Sequence, residues 1–159
     1  MRANGAGIAL RFGRELGSYA EAIRISEQNV KAYKRAIEAY NRRDYEAVVE
    51  ELDPKVELHV VLPRMLGGEA TVYRGYEGVR EFGREIDSAF AELHAEISEI
   101  RDLGDRLVAS GHLRASGIES GARIESPYGA VAEFKNGKVV RYRDYLDPKK
   151  ALEAVGLRE

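Results

Sequence analysis

The sequence predicts a single α+β domain: three N-terminal helices packed on a cone-shaped, curved antiparallel or mixed sheet, with a cavity at the open end of the cone. Three observations carry that expectation. Apolar residues recur every three or four positions between Ile8 and Leu52 and again between Val79 and Phe90, the period of an amphipathic helix. From Leu93 the chain breaks into four strand-length runs separated by Gly104-Asp105, Glu119-Ser120-Gly121 and Asn136-Gly137. Helices grouped ahead of a run of antiparallel strands must cover the apolar face of that sheet, and a long twisted sheet curled around them makes a cone.

Each element has its own signal. Ile8, Phe12, Leu16, Tyr19 and Ile23 mark residues 1–25 as a helical extension, despite Gly13 and Gly17, each of which costs about 1 kcal/mol in a helix interior. Ser26 reads as the N-cap of the first helix of the domain proper, residues 26–159, with Val30, Tyr33, Ile37 and Tyr40 on one face and an end near Arg43. Asp44 caps a second helix carrying Tyr45, Val48, Val49 and Leu52. Asp53-Pro54 stops it, because a residue before proline is pushed out of the helical region. Val56, Leu58, Val60 and Leu62 then alternate with Glu57, His59 and Val61, a strand with one strongly apolar face. A loop over 63–76, containing Gly67-Gly68, leads to a third helix with Val79, Phe82, Ile86 and Phe90 at helical spacing. Strands follow at about 93–102, 106–117, 122–134 and 138–146. Asn136 and Gly137 both tolerate positive φ, so they predict a type I′ turn joining the last two strands as antiparallel neighbours. Asp147-Pro148 opens a short helix with Ala151, Leu152 and Val155, stopped at Gly156.

Composition narrows the function classes. The chain has 159 residues, enough to bury one sizeable core, with 25 Lys and Arg against 27 Asp and Glu. That balance offers no general attraction to nucleic-acid phosphates, so no nucleic-acid partner is expected. No apolar run approaches the length a bilayer needs, and Met1–Leu10 carries a single Arg and a short apolar run broken by Gly7, so a cytoplasmic protein with no membrane partner is expected. With no cysteine, thiolate metal sites, disulfides and cysteine nucleophiles are excluded. His59, His94 and His112 lie far apart and form no H-x-H or H-E-x-x-H pair; no metal or other cofactor is expected. The chain also has no Gly-rich phosphate loop, which disfavours nucleotides.

Asp144 is the most informative residue. Its strand alternates Val140, Tyr142, Asp144 and Leu146 on one face against Val139, Arg141, Arg143 and Tyr145 on the other, which places the acid on the more apolar, inward face. Full burial raises a carboxyl pKa by as much as ~3–5 units, toward the range useful for acid/base catalysis. The same carboxyl also serves a purely structural role when hydrogen-bonded to a neighbouring Tyr or Arg, and both readings stand. Tyr33 and Tyr40, seven apart on one helix face, either orient a ligand oxygen or are core tyrosines with satisfied hydroxyls. His59 shares a face with Glu57, so parity points it out of the core, while its place near the strand end argues the other way. The candidate catalytic residues are therefore Asp144, Tyr33 and His59, and the candidate ligand-binding residues Tyr40, Phe82, Phe90, Tyr128 and Tyr142. His112, sharing a face with Ser110 and Arg114, and His94, beside Glu96, read as solvated or interfacial.

Several runs carry a family resemblance: Glu27-Gln28-Asn29-Val30, Ala39-Tyr40-Asn41-Arg42-Arg43-Asp44, Leu52-Asp53-Pro54-Lys55-Val56-Glu57-Leu58-His59, Tyr73-Arg74-Gly75-Tyr76-Glu77-Gly78-Val79 and Asn136-Gly137-Lys138-Val139-Val140-Arg141-Tyr142-Arg143-Asp144-Tyr145-Leu146-Asp147. In this order, over about residues 26–157, the chain resembles the SnoaL-like branch of the nuclear transport factor 2-like superfamily. That implies the cystatin-like cone fold already expected, which hosts isomerases, cyclases, hydrolases and binding domains. The ketosteroid isomerase roles of the superfamily fall on Ala36, Val60 and Ala130, none of which can perform them. The limonene epoxide hydrolase type resembles Tyr142-Arg143-Asp144-Tyr145-Leu146-Asp147 but requires an Arg-x-Asp where this chain has Gly111-His112-Leu113-Arg114. Polyketide cyclases need one acid/base group in an apolar chamber, which Asp144 and the tyrosines would supply. The expectation is an isomerase- or cyclase-type protein acting on a small apolar molecule with a carbonyl or hydroxyl group. Its alternatives are a binding or dimerisation domain without turnover and, less favoured, an epoxide hydrolase. A homodimer through the convex sheet face is also expected, from Arg123, Glu125, Glu133, Arg141 and Arg143 with Val131, Val139 and Tyr145 among them.

Overall fold

The computed structural model describes residues 5–65 and 71–158, with side chains over 17–63 and 71–158; the Ile8, Phe12 and Leu16 face and the Gly67-Gly68 loop lie outside the latter. The elements run α1 (Gly5–Asn41), α2 (Tyr45–Val49), β1 (Leu52–His59), α3 (Leu62–Met65), β2 (Val72–Arg74), α4 (Gly75–Ala89), β3 (Phe90–Asp102), β4 (Arg106–Gly117), β5 (Arg123–Lys135), β6 (Lys138–Tyr145) and α5 (Pro148–Ala154). One curled, six-stranded sheet in the order β2-β1-β6-β5-β4-β3 forms the body. It is mixed: β1 runs parallel to β6 and every other pair is antiparallel. Among the described residues no helix is long and apolar enough to cross a membrane.

Several local signals act as expected. The Asp44 carboxylate accepts the Ala47 N–H (3.1 Å) at the start of α2, and that of Asp147 accepts the Lys149 N–H (3.0 Å) at the start of α5. Asn136 and Gly137 take φ of 52° and 78°, the two positive values that a type I′ turn requires, and join Lys135 to Lys138.

Other elements differ from the sequence expectation. Ser26 caps nothing: α1 is unbroken from Gly5 to Asn41, with the good helix formers Ala20, Glu21, Ala22 and Arg24 just ahead of it, and the Ser26 hydroxyl instead donates to Asp102. Leu52 does not finish α2. It opens β1 by pairing with Val139, after which the register jumps to Glu57 opposite Arg141, an irregularity spanning Pro54, which has no N–H for a ladder. Part of the expected 63–76 loop is the three-residue β2, too short for any periodic signal and held by pairing with β1. Phe90 ends α4 rather than continuing it. Its N–H still donates to Ile86, but its backbone is extended (φ −118°, ψ 126°) and begins β3. Finally, Val139 faces the core, not the convex side. Phe134 pairs with Val139 and Glu133 with Arg141, so Val140 is the extra residue of a bulge that reverses the alternation ahead of Arg141.

The main core lies between the concave sheet face and the helices α1, α2 and α4, with Val56, Val79, Leu107 and Leu113 almost wholly enclosed. A smaller cluster on the opposite face packs α5, through Ala151 and Val155, on Val108 and Val131.

Candidate functional site

The concave side encloses a cavity of about 80 Å³ with an almost entirely apolar wall. Helix α1 contributes Tyr33, Ala36, Ile37 and Tyr40, which recur at helical spacing; α2 adds Tyr45 and Val48, and α4 adds Val79 and Phe82. From the sheet come Leu52, Leu58 and Val60 at β1, Tyr128 on β5, and Val139, Tyr142 and Asp144 on β6. Tyr142 and Asp144 are two apart on one strand and so share a face, and the β5–β6 register sets Ala132 and Ala130 opposite them. Those alanines leave the space the larger side chains fill.

Asp144 is 7% exposed. Its Oδ1 accepts the backbone N–H of Val61 (2.8 Å) and its Oδ2 the hydroxyl of Tyr128 (3.4 Å). The Tyr128 oxygen is also hydrogen-bonded to that of Tyr142. A phenol has one proton, so when Tyr128 donates to Asp144, Tyr142 must donate to Tyr128. The three groups thus form a chain, Tyr142 to Tyr128 to Asp144. Burial pushes the Asp144 carboxyl up to about 7, with the Val61 and Tyr128 hydrogen bonds pulling the other way. Burial first, and then the nearby Asp144 charge, raises the phenols of Tyr33 and Tyr40. Tyr33 is buried and its hydroxyl has no hydrogen-bond partner among the described residues. A weak acid that titrates near neutrality, inside an apolar chamber with an unused phenol, is equipped to hold a ligand oxygen and to move a proton.

The structure brings Asp144, Tyr33, Tyr40, Phe82, Tyr128 and Tyr142 together around this cavity. It does not bring His59 or Phe90 to it. Phe90 is enclosed in the main core. His59 stands with Glu57, its ring 3.2 Å from that carboxylate, in a cluster that includes Arg74 and Arg141. Hydrogen bonds from His59 and Arg74 hold the Glu57 carboxyl down at about 2.

Tyr45, Leu58, Val60 and Val139 were not singled out by the sequence, although the first-strand parity already grouped Leu58 with Val60. The Val61 N–H, being backbone, carries no sequence signal at all. Ala36 and Val60 line the cavity and Ala130 lies opposite Asp144 on β5, and none of the three side chains carries a group that can move a proton. Among the described residues no three His, Asp or Glu side chains converge as metal ligands would.

The fold has many solved relatives. An NTF2-like protein from Burkholderia pseudomallei is 24% identical, with 81% of this chain and 98% of that one covered and a TM-score of 0.67. TerC, co-crystallised with polyporic acid, is 21% identical over 76% of this chain and 92% of its own, with a TM-score of 0.68. A Jannaschia sp. protein named for its likeness to SnoaL-like polyketide cyclases is 16% identical over 75% of this chain and 85% of its own, with a TM-score of 0.64. At these identities the likeness speaks for the fold. No curated protein matches the sequence. The family model of the SnoaL-like domain matches residues 33–142, well over half of the chain and all of the cavity wall except Asp144, and on that match the chain belongs to the SnoaL-like domain family.

Proposed function

We propose that the protein binds a small, largely apolar molecule bearing a carbonyl or hydroxyl group in the cavity beside Asp144, and transfers a proton on it in an isomerase- or cyclase-type reaction. The observation that carries this reading is Asp144 itself, a carboxyl raised to about 7 on an apolar wall. Ionised, it takes a proton from a carbon next to a carbonyl, and the electron pair of that C–H bond moves into an enolate whose oxygen accepts the Tyr33 hydroxyl. As the acid it then returns the proton, either to another carbon in an isomerisation or to the alkoxide formed when the enolate carbon attacks a second carbonyl in a cyclisation. Protons balance and no oxidant is needed. The fold relatives that were co-crystallised with polyporic acid or named a polyketide cyclase are in keeping with such a ligand.

A second reading, binding without turnover, draws support from the two hydrogen bonds that already engage both oxygens of Asp144. Epoxide hydrolysis is disfavoured because Asp144 is the one acid among the cavity-lining residues. We further propose a homodimer through the convex sheet face.

A thermal-shift screen of neutral ketones and phenols identifies the ligand class, and turnover of the best hit is then compared with Asp144→Asn. The variant is expected to bind normally and to turn over at least ~100-fold more slowly, as the loss of a general acid/base implies. The wild-type kcat/KM should rise with pH to a plateau above about 7, where Asp144 is ionised, and the variant should lack that limb. Unchanged turnover assigns Asp144 to structure and favours the binding reading.

A further inference from the structure

The cavity is small for a ligand site, since such sites commonly hold about 300–1,000 Å³. A second depression, of about 530 Å³, lies on the other side of α1, between that helix and β3. The two share a pair of residues, Tyr33 and Ile37, one helical turn apart. One turn of one helix is therefore the partition between an inner chamber and an outer groove.

Hydrogen bonds tie α1 to the β3 side at both ends of this groove. At one end Ser26 donates to Asp102, and Asn29 Nδ2 to the Gly104 carbonyl (3.3 Å). At the other, the Asn41 amide donates to the Ala95 carbonyl and accepts its N–H, 2.9 Å each way. Between the ties Lys34 and Glu38 on the helix, and Ser98 and Glu99 on the strand, line the groove and are exposed. The groove is thus a slot pinned at its two ends and open between them. Its lining mixes one cation with two carboxylates and the neutral Asn41 and Ser98, which suits an uncharged, hydrogen-bonding group better than an anion. In the partition, the buried Tyr33 hydroxyl has no partner among the described residues, so a small turn of the ring would break no hydrogen bond and would keep the hydroxyl for the ligand oxygen in the chamber.

Resting on the reading that the cavity binds a small molecule, we infer that the ligand is elongated: an oxygen-bearing ring sits in the chamber beside Asp144 and a neutral polar tail lies in the α1/β3 groove. Tyr33 and Ile37 are the partition that opens between them and set the length of ligand accepted.

The test uses two phenols on the full chain, 2-naphthol as a compact ligand and 4,4′-dihydroxybiphenyl as a long one. The two should compete. Ser98→Trp, at an exposed groove position, should weaken the biphenyl about tenfold or more and leave 2-naphthol within about twofold. Ile37→Ala, with folding checked by circular dichroism and Ile37→Val in its place if needed, should speed biphenyl association by about tenfold. Competition with no effect of Ser98→Trp, or an equal effect on both compounds, overturns the groove while leaving the cavity reading intact. An unchanged association rate in the Ile37 variant overturns the partition. Binding of neither compound to the wild type overturns the cavity reading and this one with it.

Discussion

Asp144 links stability to pH in the direction opposite to an ordinary carboxylate. Its folded-state pKa of about 7 lies above the unfolded value. Below roughly pH 4 both states hold the proton and its contribution is complete. Between there and about 7 the folded state keeps a proton that the unfolded chain has released, so stability falls as pH rises, by a total of the order of 4 kcal/mol for a shift of this size. Asp144→Asn keeps an acceptor for the Val61 N–H and does not titrate. Its melting temperature relative to the wild type is therefore expected to climb from pH 5 to pH 8 and then level off. A difference that stays constant across that range would mean Asp144 ionises like a surface acid. The inward face of Asp144 was legible from strand parity alone, yet Val140 and Val139 were read the wrong way round on the same strand. The bulge that exchanges them depends on how β6 docks on β5, and no local composition marks it.

Among the elements, α4 tests packing against propensity. Gly83 is buried in that helix, and a Cβ placed on it would lie 2.6 Å from Cδ2 of Tyr45. Replacing glycine by alanine in a helix interior gains up to about 1 kcal/mol, whereas forcing a methyl into a filled contact typically costs about 1–3 kcal/mol. Tyr45 is anchored by its hydroxyl on Asp87 (3.1 Å) and cannot withdraw freely. Packing is expected to win, so Gly83→Ala should lower the melting temperature by several degrees in a thermal scan and disturb the Tyr45 wall of the cavity. A rise in melting temperature would show that Tyr45 yields. The spacing of Val79, Phe82 and Ile86 made this helix legible, and its end was not. Phe90 satisfies the helical period and the start of β3 equally well, and only burial in the shared core decides between them. The ties of α1 were illegible for a related reason: Ser26 and Asn41 act on Asp102 and Ala95, partners far away in sequence.

For the whole molecule, the convex face carries a ladder of alternating charge. Arg106 stands opposite Glu133, Glu133 opposite Arg141, Arg141 opposite Glu57 and Glu57 opposite Arg74, across β4, β5, β6, β1 and β2. The apolar residues expected to join copies of the chain there are largely used within it: Val139 is in the core, and Val131 and Tyr145 pack in the cluster beneath α5. The proposed homodimer then rests chiefly on charge, with Arg123, Glu125, Arg141 and Arg143 exposed, and exposed pairs contribute only ~0–1 kcal/mol each and are screened by salt. Sedimentation at low ionic strength should give twice the 17.7 kDa chain mass, falling toward 17.7 kDa when salt is added; a single-chain mass under both conditions rules the dimer out. By itself the sequence determined the α+β class, the order of its main elements, the last hairpin and the inward acid. These follow from local chemistry: apolar period, cap residues and the positive φ that Asn136-Gly137 accepts. Only the tertiary structure decided that β1 lies parallel to β6, that His59 stands away from the cavity, that the Val61 N–H holds Asp144, and that one turn of α1 divides a chamber from a groove. Each depends on which distant segments come to share a core, and a local pattern of residue types does not encode that.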